Sequence, residues 1–404
     1  MKPEKRSVVA ELLPVIREQF FSVFAEPEPE MIHPDLYREI IDVGTDLILD
    51  RMKEYCRKRR RIVERVRDAV TVKQAKRDEG LSSANVLVSS DAGNNGVDTR
   101  SAFMPLYASV AVAARGWKII DEPISLAGKP EIWGSEDRSR ERESMLAMKA
   151  QFDVTYKAVE KWSPRFVVFD GPLLLHYGLV PGKGSSGEYW QNFKDAASSA
   201  VRLLHECYRR RTVVVGFVKR TRMAELGKEL GTALSAGMKI RDTALLDLVL
   251  RLGQYTLLDT VITKGGVVKR YRISAKEFGL SRSETGAMTR FHSAYIRTGL
   301  TTPFRLEFPE YCLGSLDEVA SILYTTSEED GLPFALHEAD KLTKMTTTIS
   351  NIRTLMLFSK ALDLVESGEL SPEDMNLFAL QHGEAWTLRD EKYFQDVREI
   401  QGGG

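Results

Sequence analysis

Val86-Leu87-Val88-Ser89-Ser90-Asp91 and, further on, Phe166-Val167-Val168-Phe169-Asp170-Gly171 decide the fold of this chain. Each is a short, apolar run that ends at an aspartate. Runs of this length, rich in valine and bounded by turn residues, read as strands. Outward from the first, Ala92-Gly93-Asn94-Asn95-Gly96 is turn-forming, and Met104 to Ala114 reads as a second strand. Arg115-Gly116 is a tight connection into a third, Trp117-Lys118-Ile119-Ile120. Three consecutive strands with short links predict an antiparallel meander. Residues 139 to 162, free of Gly and Pro, predict a helix on the near side of Phe166, and residues 189 to 210 predict another on its far side. Thr212-Val213-Val214-Val215-Gly216-Phe217-Val218 then forms an almost wholly apolar strand that stops at Lys219. Continuous apolar strands separated by helices are parallel and covered on both faces. The order β-β-β-α-β-α-β predicts an α/β protein with a ribonuclease H-like core built on a mixed sheet.

Around this core, residues 6 to 24 and 35 to 78 read as long N-terminal helices. The later part is mixed α/β. Helices are expected near 240–253, 316–324, 333–347 and 349–367, and strands at Tyr255–Thr263, Val267–Ile273 and Phe304–Phe308. Three regions follow: an N-terminal helical, basic arm (1–80), the core with insertions (81–345) and a C-terminal helical segment and tail (346–404).

The 404 residues carry 57 Lys+Arg and 57 Asp+Glu, with 43% hydrophobic and 28% charged residues. That balance excludes a disordered chain, a collagen-like fibre and a small disulfide scaffold. Cys56, Cys207 and Cys312 are far apart and lack zinc-ligand spacing, which fits a reducing compartment. No signal-peptide pattern and no membrane-length apolar run is present, so a soluble, cytoplasmic protein is expected. Zero net charge hides a basic segment: residues 51–79 hold twelve Lys/Arg and five Asp/Glu. Leu47, Met52, Cys56, Ile62, Val63, Val66 and Val70 form one apolar stripe there. The opposite face is either a solvated helix surface or a surface for phosphates or a partner.

Strand carboxyl ends of α/β sheets face the ligand crevice. If the first and fourth strands are neighbours, Asp91 and Asp170 share a cleft. Two close carboxylates repel and favour a divalent cation between them. Such an ion lowers the pKa of bound water and stabilises charge on a phosphate, the combination that phosphodiester hydrolysis needs. The bland alternative is that each aspartate caps a turn. A third ligand is sought on the 139–162 helix, where Glu143 and Asp153 are the better candidates. Lys219, within Lys219-Arg220-Thr221-Arg222, either holds a phosphate or lies in a solvent-exposed basic turn. His337, one turn into a helix opened by Pro333, is either a core histidine, a metal ligand or a proton donor. Gly178-Leu179-Val180-Pro181-Gly182-Lys183-Gly184 mimics a Walker A loop. Only three residues separate the first two glycines, and Gly184 replaces the magnesium-binding hydroxyl, so nucleotide hydrolysis is not expected.

Taken in order, the strand ending in Asp91, Val168-Phe169-Asp170-Gly171, Val215-Gly216-Phe217-Val218-Lys219-Arg220 and Leu332-Pro333-Phe334-Ala335-Leu336-His337 resemble the NurA nucleases over about residues 80 to 345. Members of that family show two Asp-Gly strand ends, a Val-Gly-x-x-Lys strand and a late Tyr-Pro-x-x-Leu-x-x-Ala-His element. The resemblance implies a ribonuclease H-like nuclease that uses manganese, or magnesium, to cut single-stranded DNA and 5′ ends. It also implies a homodimer that docks on a hexameric HerA-type ATPase during DNA end processing. Asp91 and Asp170 match the first and second metal-binding aspartates, Lys219 the strand-five lysine and His337 the late histidine. The helix carboxylate is placed on Glu143, with Asp153 in reserve. The chain departs from the pattern in three places: Ala92-Gly93-Asn94 follows Asp91, Leu332 stands where an aromatic is common, and His337 comes earlier than the family spacing. A non-catalytic DNA-binding adaptor that kept the fold is the alternative. A sugar-kinase-like phosphotransferase ranks last, because the paired glycine-rich phosphate loops are missing.

Overall fold

A 26-residue helix, α1 (Gly44–Ala69), is the first element described. The structure is a computed structural model, and it describes residue 39 and residues 43–371 apart from 100, 135–137, 227–239 and 264. The helix expected over 6–24 lies outside these residues. Two compact units divide the chain, Met1–Arg61 and Ile62–Gly404. In α1 only Ile62, Val63 and Val66 are buried, while Leu47, Met52 and Cys56 are exposed. The helix expected to reach residue 78 stops at Ala69. The β-branched run Val70-Thr71-Val72 disfavours helix, and Val72–Gln74 forms strand β1 instead.

The short helix α2 (Glu79–Ala84) leads into β2 (Leu87–Asn94). β2 therefore runs three residues past Asp91, through part of the expected turn. β3 (Val97–Asp98) and β4 (Ala102–Met104) pair with each other, and β5 (Tyr107–Arg115) returns alongside β2. The strand expected over 104–114 is thus two strands in two sheets. Pro105 divides them, since proline has no N–H to donate to a ladder. β6 (Lys118–Ile119), β7 (Ile124–Ala127) and β8 (Trp133–Gly134) complete this half; β7 and β8 were not expected.

Helix α3 (Ser139–Trp162), β9 (Phe166–Asp170), α4 (Gly187–Arg210) and β10 (Val213–Val218) fall within two residues of expectation. Beyond them come α5 (Asp242–Leu246), β11 (Gln254–Ile262), α6 (Gly266–Glu277), α7 (Arg282–Thr289), β12 (Phe291–Ile296) and β13 (Phe304–Pro309). The strand expected at Val267–Ile273 lies inside α6. Val267, Val268, Tyr271, Ser274 and Ala275 bury at helical spacing, and that periodicity outweighs the local β-branched residues. The helix expected over 240–253 shrinks to α5. α8 (Leu316–Thr326), α9 (Phe334–Thr343) and α10 (Thr347–Glu366) close the described chain.

Among the described residues the main sheet has ten strands in the order β1-β11-β12-β13-β10-β9-β2-β5-β6, with β7 paired to β5. Its centre, β10-β9-β2-β5-β6, is the fifth, fourth, first, second and third strand of the expected core, a ribonuclease H-like arrangement. β9 runs parallel to both β2 and β10, and β2 runs antiparallel to β5. Successive residues of a strand face opposite sides. Ser90 Oγ accepts from Thr155 Oγ1 of α3 at 2.7 Å, and Phe169 stacks on Phe152 of α3 at 4.7 Å between ring centroids. Ser90 and Phe169 are register partners. The residues after them, Asp91 and Asp170, therefore project from the other face. There Ala339 of α9 packs on Val110 and Val112 of β5.

Candidate metal centre

Alternation along two parallel strands puts Asp91 and Asp170 side by side, and α9 crosses the same face to bring in Asp340. One carboxylate oxygen from each of the three lies within 4.8 Å of the others, and all three residues are partly buried. Lys219, just past the end of β10, places Nζ 2.6 Å from Asp170 Oδ2 and 2.5 Å from Asp340 Oδ1. Thr343, one turn after Asp340, donates its hydroxyl proton to Asp91 Oδ2.

Close approach of backbone makes this possible. A Cβ on Gly93 would lie 2.0 Å from the Thr343 carbonyl oxygen, so only glycine lets the end of α9 reach β2. Gly93, expected as a turn residue, is a strand glycine at a helix contact. From the other face, Gln151 of α3 donates through Nε2 to the carbonyl oxygens of Ser90 at 2.8 Å and Asp170 at 3.1 Å. One buried amide thus ties the ends of both carboxylate-bearing strands together.

Burial and the neighbouring Asp91 charge push Asp170 up to about 7, against the pull of the Lys219 ammonium. Burial alone would lower Lys219, yet the Asp170 charge and the hydrogen bonds to Asp170 and Asp340 raise it above the ordinary lysine value. Three hard oxygen donors that repel one another suit a divalent cation such as manganese or magnesium, not a soft metal.

The NurA domain model matches residues 87–345. The chain belongs to the NurA family of nucleases. No curated protein matches its sequence closely enough to add to this. The NurA nuclease from Sulfolobus solfataricus shares 12% identity over 82% of this chain and 98% of its own, with a TM-score of 0.57. A NurA bound to dAMP and manganese shares 12% identity over 77% of this chain and 94% of its own, with a TM-score of 0.51. A NurA with manganese shares 12% identity over 80% and 98%, with a TM-score of 0.51. These likenesses show a shared fold.

Three expected residues, Asp91, Asp170 and Lys219, meet in this NurA chain. Glu143 does not join them. It is buried at 1% exposure in the first turns of α3, where Oε1 accepts from the Leu106 N–H at 2.7 Å and Oε2 from Asn94 Nδ2 at 2.9 Å. The physical reason is the face: α3 packs against the side of the sheet opposite the aspartates, and Glu143 closes the passage from β2 to β5. Asp153 is also spent elsewhere, on Lys149 and Arg202 at 2.7 Å each. The α3 side chain that bridges the backbones of both paired strands is Gln151, an amide. His337 also stays outside the group. Its Nδ1 lies 2.8 Å from Glu328 Oε2, and Pro333 is the N-cap of α9, not its first helical residue.

Asp340 was missed, although the spacing contained it. Counted from Pro333, the family pattern Pro-x-x-Leu-x-x-Ala-His meets Leu336 and Ala339 and ends on Asp340. Anchoring on the residue type, histidine, hid the position.

Proposed function

We propose that this NurA protein hydrolyses DNA phosphodiester bonds at the Asp91–Asp170–Asp340 cluster with manganese or magnesium. The reading includes single-strand endonuclease and 5′–3′ exonuclease action, as a homodimer working with a hexameric HerA-type ATPase. The observation that carries the hydrolytic reading is the convergence of three carboxylates and one lysine, in a chain of this family, at the carboxyl ends of parallel strands. Relatives of the same fold described with manganese, one also with dAMP, support it.

Asp91, Asp170 and Asp340 would hold the ion, which supplies polarisation of a phosphoryl oxygen and a more acidic water. Thr343 orients Asp91. Gln151 fixes the spacing of the strands that carry Asp91 and Asp170. Lys219 presents its ammonium beside the same carboxylates, where it can pair with a non-bridging phosphate oxygen.

End-labelled single- and double-stranded DNA, incubated with manganese or magnesium, with and without a HerA-type ATPase, tests the proposal. Cleavage by the wild type that is lost in Asp91→Ala is expected. No cleavage by the wild type under any of these conditions would move the chain to the adaptor reading. One observation favours that alternative: α3 brings no carboxylate to the cluster, and the α3 side chain that bridges the backbones of both carboxylate-bearing strands is an amide, Gln151.

A further inference from the structure

On α6 and α7, away from the carboxylate cluster in sequence, the surface forms a groove of about 870 Å³. Lys269, Arg272 and Lys276 of α6 line one wall at i, i+3 and i+7, the spacing of a single helix face. Arg282 of α7 and Arg290 just beyond it line the other wall. Ile273 and Leu280 give the groove an apolar floor, and Ile273 is 39% exposed. Among the described residues, no aspartate or glutamate lines it.

Charge pairing makes this concentration unusual. Arg290 is held by Glu310 at 2.7 Å, and the nearby Glu277 is spent on Arg270. Glu284 is committed to the capping box with Ser281. Among the described residues, Lys269, Arg272, Lys276 and Arg282 make no ion pair. Elsewhere on this chain of zero net charge, basic side chains are widely matched with acids, as at Arg140–Asp98, Lys161–Asp121 and Arg165–Glu318. Four unmatched cations around one concavity repel each other unless an anion is shared among them.

We propose that this groove is a second nucleic-acid site that holds a single DNA strand, its phosphates on the four cations and its bases against Ile273 and Leu280. The proposal rests on the nuclease reading for its ligand, and deepens that reading by adding a hold on the strand separate from the carboxylate cluster. Lys269 and Lys276 are seven residues apart, about 10 Å along the helix axis, enough to follow two or three successive phosphates. The wall is also joined to the strand that carries Asp170. On the inner side of α6 the Tyr271 hydroxyl donates to the Leu173 carbonyl and accepts from the Leu175 N–H, in the segment that leaves Asp170-Gly171. A strand held on α6 is thus anchored on an element braced against the exit from β9.

Binding of a fluorescent oligothymidylate to the full chain in EDTA, measured by anisotropy over a salt series, tests this without cleavage. The double variant Lys269→Ala/Lys276→Ala should weaken binding about tenfold and lower the slope of log K against log salt by about 1.4, at about 0.7 per lost phosphate contact. Gly286→Glu is an independent variant. A Cβ there meets open space, so the added carboxylate enters the groove without a clash, and binding should fall. Both variants should keep wild-type manganese binding by calorimetry. Unchanged DNA affinity and salt slope in both variants would overturn the proposal, as would a loss seen only with polyglutamate, which would assign the groove to an acidic protein segment. Absence of cleavage in every form, with DNA binding still lost in the groove variants, would break the nuclease reading and leave the groove standing.

Discussion

Two helices, α3 and α9, flank the strand that carries Asp91, and they do opposite work. α3 is the longer at 24 residues, and it carries the acids that looked most like ligands. Each of those is consumed: Glu143 by two donors, Asp153 by two cations. α9 has 10 residues, yet supplies Asp340 to the cluster and Thr343 to Asp91. The difference is one of face, not of composition. Ser90 and Phe169 turn toward α3, so their successors must turn toward α9. Acid content on a helix therefore says little about metal binding until strand parity says which helix the carboxylates meet.

The sharpest break of this comparison exchanges the two helices' acids. Asp340→Ala should weaken manganese binding by on the order of 100-fold, because a three-carboxylate set loses one charge and one donor. Glu143→Ala should keep the binding stoichiometry but lose about 1–3 kcal/mol of folding stability, since it leaves the partly buried Leu106 N–H without its acceptor and removes the nearer of two acceptors from Asn94. Calorimetry and urea unfolding read the two quantities separately. The reverse pattern, with metal lost in the Glu143 variant and retained in the Asp340 variant, would return the site to α3.

A second measurement sharpens the electrostatics of the α9 face. The folded chain holds the Asp170 proton up to about pH 7, whereas an unfolded aspartate releases it near 3.9. The raised folded value means that Asp170 adds stability fully below pH ~4, and this is lost as pH rises to about 7. A shift of about three units corresponds to at most about 4 kcal/mol at about 1.4 kcal/mol per unit. In EDTA, the wild type should therefore lose stability relative to Asp170→Asn between pH 4 and 7. Parallel stability curves for the two proteins would show that the clustered carboxylates impose no such cost.

The legibility of the sequence follows the same division. At β2, α3, β9, α4 and β10 the signals are pure: apolar, valine-rich runs, long helices without internal Gly or Pro, and a charged residue where each of these runs ends or just beyond. Their order put Asp91 and Asp170 in one cleft on the condition that β2 and β9 are neighbours, and the family resemblance added Lys219. Farther on, signals conflict. Phe291-His292-Ser293-Ala294-Tyr295-Ile296 is buried throughout, yet His292 and Ser293 disguise it as a polar segment. Val267-Val268 advertises a strand within a helix. Strand parity was available for Asp91 and Asp170. What it could not supply was the helix that covers that face, because α9 arrives from far along the chain, and its arrival depends on a glycine, Gly93, whose contact is invisible in one dimension.

The smallest expected effect concerns His337, which shares α9 with Asp340 but sits one turn earlier. Its ring pairs with Glu328 across the turn that precedes the helix, and both side chains are about one-third exposed, at 28% and 34%. Pairs of that exposure contribute about 0–1 kcal/mol, screened by solvent. His337→Ala should thus leave manganese affinity unchanged and cost at most about 1 kcal/mol in unfolding. If instead it lowers manganese affinity as Asp340→Ala does, α9 must shift by three residues, about 4.5 Å along its axis, when it binds metal, and the family's late histidine would regain the role that the spacing from Pro333 gives to Asp340. An unchanged affinity would place the whole contribution of α9 on its last turn, where Asp340, Thr343 and the close contact with Gly93 meet.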